Sequence, residues 1–195
     1  MTDSIQLGGS GMLALTRDTL AALRGALFRD LGGDAAGYLQ EAGYAGGATL
    51  FAAFGAWTAA RGYGAPESIA AADFTRLATQ FFSDLGWGSV SLGALSGTVA
   101  ALDSADWGEA DPAAAMEFPG CHLTTGMFAD FFGRLAGTPM AVMEVECRSM
   151  GAPRCRFLVG SADSLQQVYD DMSRGVPYED AAAAAGQDSS RSASA

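Results

Sequence analysis

The sequence predicts an α+β domain in which N-terminal helices pack on an antiparallel sheet that ends in a C-terminal hairpin. Three observations carry that expectation. Apolar residues recur at spacings of three and four through the first half of the chain, as Leu20, Leu23, Leu27 and Leu31 do, which is the period of an amphipathic helix. After Gly86 the period falls to two: Val90, Leu92 and Ala94 alternate with Ser89, Ser91 and Gly93, as in a half-buried strand. Finally, two strand-like runs at 140–148 and 154–160 flank a turn centred on Gly151, with Cys147 and Cys155 placed symmetrically about it.

Each element follows from local chemistry. The leucine stripe has Thr16 as N-cap and Gly32-Gly33 as its stop. The glycines between Asp34 and Gly47 predict two helices, one from Asp34 to before Gly43 and a second carrying Leu50, Phe54 and Trp57 on one stripe. The 62–66 segment reads as a loop by composition. Phe74, Leu77, Phe81 and Leu85 restore the helical period, closed by Gly86. A strand partner is expected over 97–103, a long acidic loop over 103–119, and a helix over 121–135 with Phe128, Phe131, Phe132 and Leu135 on its apolar face. After the hairpin, a last helix spans 163–173. An Ala, Ser and Gly-rich tail, 181–195, is expected to be disordered, as is a flexible start at 1–10. The chain between them, 11–175, reads as a single domain without internal repeats.

Composition excludes several classes. The chain has 195 residues, 49% hydrophobic and 17% charged, enough to bury a core. A net charge of −11 argues against nucleic acid and against anionic lipid, both of which need a basic face. All eleven cations are arginine, which reads as coding bias. No basic n-region with an apolar h-region opens the chain, and no run of eighteen apolar residues is present. Three cysteines cannot all pair in a disulfide framework. The expected location is the cytoplasm, where thiols more often act as ligands or nucleophiles.

Those cysteines carry the chemistry. In a regular antiparallel ladder Cys147 and Cys155 would face each other on one side of the hairpin, close enough to share an ion. Cys121 would join them from the start of a helix, whose dipole and free amides favour a thiolate. Three thiolates and one carboxylate or imidazole make a tetrahedral zinc site. Spacing alone leaves the fourth ligand open. Glu144 lies three residues before Cys147 and would point to the other face of an ideal strand, unless a β-bulge intervenes. Glu146 and His122 adjoin cysteines and would also point away. Three buried, inert cysteines are the competing reading.

The run Glu144-Val145-Glu146-Cys147-Arg148-Ser149-Met150-Gly151, continuing to Cys155-Arg156-Phe157, resembles the signature of the 4-vinyl reductase domain family, in particular the version in phenol- and toluene-sensing bacterial activators. That pattern has a cysteine at a helix start, a glutamate 23 residues on, a cysteine three further and another eight further. Cys121, Glu144, Cys147 and Cys155 match every interval. Gly126, Gly133 and Gly137-Thr138-Pro139 fall where the family places its glycines, and Ala42-Gly43-Tyr44 with Gly46-Gly47 resembles its helix junction. The resemblance implies that Cys121, Glu144, Cys147 and Cys155 bind one zinc ion that organises the domain, giving an N-terminal-helices-on-sheet fold with a zinc-bound hairpin. A site with four protein ligands leaves no open position and is structural. Four anionic ligands exceed the ion's charge, and Arg148, Arg154, Arg156 and His122 are near in sequence to offset it.

The resemblance further implies a helical dimerisation part over 11–61, with the helix from Thr16 as the homodimer surface, and a zinc-containing part over 87–160. It implies an enclosed hydrophobic ligand, for which Trp107, Phe54, Trp57, Phe81, Phe128 and Phe131 are the candidate contacts. Aromatics at helical spacing are also the ordinary content of a core. Trp107 stands out because the phenol sensors place a tryptophan at their pocket. Their ligand-contacting histidine has no counterpart, since His122 is the only histidine. The expected function is a zinc-stabilised binding module for a hydrophobic aromatic or tetrapyrrole ligand, a sensor or carrier, with an effector protein in trans. No ATPase module or helix-turn-helix is legible, so the chain is expected to resemble stand-alone members linked to 8-vinyl reduction in bacteriochlorophyll synthesis. An accessory or reductase role there is the alternative, although no GxGxxG follows a strand to open a helix. A dimeric scaffold, as in the similarly folded subunits of vesicle-tethering complexes, is the second alternative.

Overall fold

The computed structural model describes residues 11–192; the expected flexible start, 1–10, and the last residues of the expected tail lie outside them. Helix α1, Arg17–Leu31, begins at Thr16, whose side chain accepts from the Thr19 amide at 3.1 Å, and stops at Gly32 with φ +58°. Both ends match expectation. Its burial does not follow the leucine stripe, because Arg24 is its one buried residue.

Helix α2, Ala35–Ala59, corrects the expectation of two helices. The glycines that suggested a break are contact points instead. At Gly43 a Cβ would stand 2.0 Å from the carbonyl oxygen of Leu123, and at Gly126 one would stand 1.9 Å from that of Gln40. These positions are bare because α2 crosses helix α4, His122–Ala136, backbone against backbone. Helix α3, Ala71–Asp84, turns Phe74, Leu77, Ala78, Phe81 and Phe82 inward.

The sheet runs in the order β1-β2-β4-β3 with every pair antiparallel. Its strands are β1, Ser91–Ala94; β2, Val99–Ser104; β3, Ala141–Glu146; and β4, Cys155–Gly160. β1 is shorter and more exposed than its alternation suggested, since it is an edge strand bordering an open cleft. In β4, Phe157 and Val159 join the core shared with α2, α3 and α4, while Leu158 faces a second core on the opposite side. The domain therefore has three layers, with the sheet in the middle.

Helices α5, Ala162–Ser173, and α6, Tyr178–Ser192, form the third layer. α6 corrects the expectation of disorder from Ala181. Ala181, Ala182 and Ala185 are buried against a cluster containing Val99, Leu158, Leu165 and Val168. Alanine is the best helix former and its small side chain permits close approach; a run read as low complexity is a packing face. Among the described residues, no helix is long and apolar enough to cross a membrane.

Candidate metal centre

The hairpin register determines which side chains meet. β3 and β4 pair regularly up to Glu144↔Phe157, then resume at Glu146↔Arg156, leaving Val145 as an extra residue. A bulge of this kind reverses the alternation of faces beyond it. Glu144 and Cys147 thereby share the inner face despite their odd spacing, and Cys155 joins them from β4. Cys121, at the N-cap position of α4, supplies the fourth donor.

The donor atoms of Cys121, Glu144, Cys147 and Cys155 all lie within 4.8 Å of one another, and all four residues are buried. The Cys121 sulfur is 3.9 Å from that of Cys147 and 3.9 Å from that of Cys155. That separation is far beyond a disulfide bond of about 2.05 Å. It is close to the roughly 3.8 Å between sulfurs set by a tetrahedral zinc with Zn–S bonds of about 2.3 Å.

Electrostatics favour a cation here. Glu144 Oε2 accepts from the Cys121 amide at 2.8 Å, but its Oε1 is buried without a hydrogen-bond partner. Burial, followed by the charge of Cys147, pushes the Glu144 carboxyl up to about 8. Hydrogen bonds from Cys121 and then Cys155 hold the Cys147 thiol far below its usual range. Hydrogen bonds with Cys147 and then Cys155, with burial added, push the Cys121 thiol well up. Protons alone thus leave a buried set of donors at odds, with one acceptor orphaned; a divalent cation satisfies all four at once.

The other candidate ligands point elsewhere. Glu146 pairs with Arg154 through two contacts of 2.9 Å and accepts from the Tyr178 hydroxyl. His122 rests against Phe28, ring centroids 5.8 Å apart. Nor do Arg154 and Arg156 offset charge at the cluster: Arg156 grips Asp103 with two contacts of 2.7 Å, and Arg154 lies 3.3 Å from the same carboxylate. They lie on the outer face because β4 alternates and Cys155 and Phe157 face in.

The cation nearest the centre is Arg24, which the sequence reading missed as a site residue. It is 5% exposed and donates to the carbonyls of Glu109 and Gly120, the latter adjoining Cys121. Its partner Glu109, 2% exposed, accepts from the amides of Leu123 at 3.0 Å and Thr124 at 2.8 Å. Glu109 therefore caps α4 from outside the helix, a function Cys121 cannot perform if its sulfur is a ligand. The one signal in the sequence was a charge on the leucine stripe of α1; nothing local marked Glu109.

Trp107, Phe54, Trp57, Phe81, Phe128 and Phe131 are brought together as one interlocked aromatic core. Phe54 contacts Trp57, Phe81 and Phe131, and Trp107 contacts Phe128. Trp107 is fully buried, and its indole N–H donates to the Thr124 hydroxyl at 2.7 Å. None of the six lines either of two clefts found among the described residues. The first, about 400 Å³, lies between residues 11–17, α2 and the 85–87 turn, and includes Leu20, Leu50, Trp87 and Met127. Trp87 stacks on Trp107 at 5.5 Å, so the aromatic core reaches this cleft through one ring. The second, about 610 Å³, is bordered by Phe74, Leu92, Phe132 and Met140.

Known proteins share these features. Residues 109–161, from the capping glutamate to the end of β4, match the 4-vinyl reductase domain. The structure is similar to the phenol-responsive sensory domain of the transcription activator PoxR, solved with phenol, at TM-score 0.61 and 18% identity over 85% of this chain and 84% of that one. It is also similar to a vinyl-4-reductase family protein from Methanocaldococcus jannaschii, at TM-score 0.52 and 17% identity over 78% of this chain and 85% of that one. No match was found among curated protein sequences. The resemblance expected from the cysteine and glutamate intervals is borne out, as is the α+β fold.

Proposed function

We propose, starting from a 4-vinyl-reductase-like fold with a four-donor cluster on its hairpin, that this protein is a zinc-stabilised module that binds a small hydrophobic aromatic molecule. The observation that carries the reading is the 400 Å³ cleft at Trp87, which Leu123 and Met127 of α4 border. Its size falls in the range of small-molecule sites, about 300–1,000 Å³. PoxR's sensory domain responds to phenol, and a single aromatic ring fits this space better than a tetrapyrrole macrocycle does. A sensory or carrier role is therefore favoured over an accessory role in 8-vinyl reduction. Zinc would serve structurally, held by Cys121, Glu144, Cys147 and Cys155. Three free thiols suit a reducing compartment such as the cytoplasm.

A thermal-shift panel of phenols and alkylbenzenes tests the reading. At one hundred times its dissociation constant a ligand adds about 2.7 kcal/mol, and each kcal/mol is worth about 2–4 °C in a domain this size. The expected shift is thus roughly 5–10 °C. Gly46 lines the cleft and has no atom within 4 Å of where its Cβ would be. Gly46→Phe should fill the cleft and abolish the shift without altering zinc content. A shift that survives Gly46→Phe would place the ligand elsewhere, and no shift with any compound would leave the dimeric scaffold ahead.

The homodimer belongs to the same proposal. On α1, Leu23 and Leu31 are 52% and 42% exposed while Arg24 alone is buried. A helix so placed gains stability when a second copy covers it. Sedimentation equilibrium at micromolar concentration should show a dimer, converted to monomer by Leu23→Asp with Leu31→Asp. A wild-type monomer would reject α1 as the dimer surface.

A further inference from the structure

We infer that the cleft at Trp87 selects an amphipathic organic anion, an apolar ring or chain bearing one carboxylate, with Arg17 as the group that receives the charge. This rests on the cleft being the ligand site and adds the class of ligand. Arg17 is the one ionisable side chain among the described residues lining the cleft; Leu20, Leu50, Leu85, Trp87 and Met127 make the wall apolar. On a chain of net charge −11 this is a local reversal of sign.

The guanidinium is held in place. Arg17 Nη2 donates to the Gly86 carbonyl at 3.1 Å. The side chain lies over Gly108, where a Cβ would stand 3.3 Å from Arg17 Nε, so the absence of a side chain there leaves room for it. The Gly108 amide in turn donates to the Trp87 carbonyl at 2.6 Å. One short stretch of backbone thus presents a cation and an indole ring next to each other, matching a ligand with a charged head on an apolar body.

Arg17 keeps donors to spare. A guanidinium has five N–H groups in a fork that fits a carboxylate with two parallel hydrogen bonds. Among the described residues, Gly86 takes its one hydrogen bond. The neighbouring acid, Asp106, is already engaged: its Oδ1 accepts from the Ser89 amide at 2.9 Å, the Ser89 hydroxyl at 2.8 Å and the Ser104 hydroxyl at 3.2 Å. A neutral hydrophobe would bury the apolar wall and leave the guanidinium unmatched.

The test is isothermal titration of the full chain with 4-butylbenzoate and 4-butylbenzamide, which share a body and differ in charge. The benzoate should bind roughly tenfold more tightly, a modest preference because Arg17 is solvent-exposed. Raising salt should weaken the benzoate alone. Arg17→Gln should cut benzoate affinity roughly tenfold and amide affinity far less, and Arg17→Lys should keep part of the preference. Equal affinity for the two compounds, or benzoate binding unchanged by Arg17→Gln, would overturn the inference and leave the cleft reading standing. No binding of either compound, with no response to neutral alkylbenzenes, would overturn the cleft reading and this inference with it.

Discussion

Purified protein is expected to carry one zinc per chain, and Cys147→Ser or Cys155→Ser is expected to leave it unfolded or nearly so. Structural zinc in small sites contributes about 10–16 kcal/mol, most of it folding free energy. An entire domain has a stability of about 5–15 kcal/mol. Loss of one thiolate from a cluster whose donors all lie within 4.8 Å can therefore exceed the whole reserve. The fourth ligand separates by geometry. Glu144→Ala should weaken metal retention, because it removes the orphaned Oε1 and the acceptor of the Cys121 amide. Glu146→Ala should not, since that carboxylate pairs with Arg154 on the outer face. Retention should also fall in acid, where protons compete for the thiolates. Elemental analysis without zinc, together with three freely reactive thiols in folded protein, would sink the site.

Gly126→Ala is expected to destabilise the fold by more than the roughly 1–3 kcal/mol of ordinary overpacking, although alanine would gain about 1 kcal/mol in helix propensity. The obstacle is backbone. The new Cβ would stand 1.9 Å from the Gln40 carbonyl oxygen and 2.9 Å from the Tyr44 amide nitrogen. No rotamer relieves that contact; the two helices must separate. α4 carries the Cys121 end of the metal cluster, so separation also pulls one ligand away from β3 and β4. Chemical denaturation of the zinc-loaded variant measures the loss. A variant as stable as the parent would mean that α2 and α4 do not cross at this point.

Part of this arrangement was legible in the residues and part was not. The caps of α1, the phenylalanine face of α4 and the hairpin about Gly151 follow from local rules, because the forces that specify them act within a few residues. The cysteine intervals carried the family resemblance, and the odd step from Glu144 to Cys147 required the bulge found at Val145. What could not be read locally depended on partners distant in sequence. Gly43 and Gly47 looked like a helix break because their reason is α4, eighty residues away in the case of Leu123. Ala181, Ala182 and Ala185 looked like a tail because their reason is the outer face of the sheet. Arg24 and Glu109 meet across 85 residues and leave no local pattern. The aromatic residues assigned to a pocket show the same limit: periodicity marks a buried face without saying whether it meets a ligand or other rings.

The extra residue at Val145 has one more implication. A two-residue alternation admits a single parity along a strand, and every side chain on it must obey. By inserting one step out of turn, the hairpin runs two parities in succession: Val142 and Glu144 are counted on one beat, Cys147 on the other. The apolar register of β3 and the donor register of the turn are thereby uncoupled. Either one can drift by substitution without dragging the other off its face, so the metal cluster behaves as a cassette spliced onto the sheet at a fixed seam.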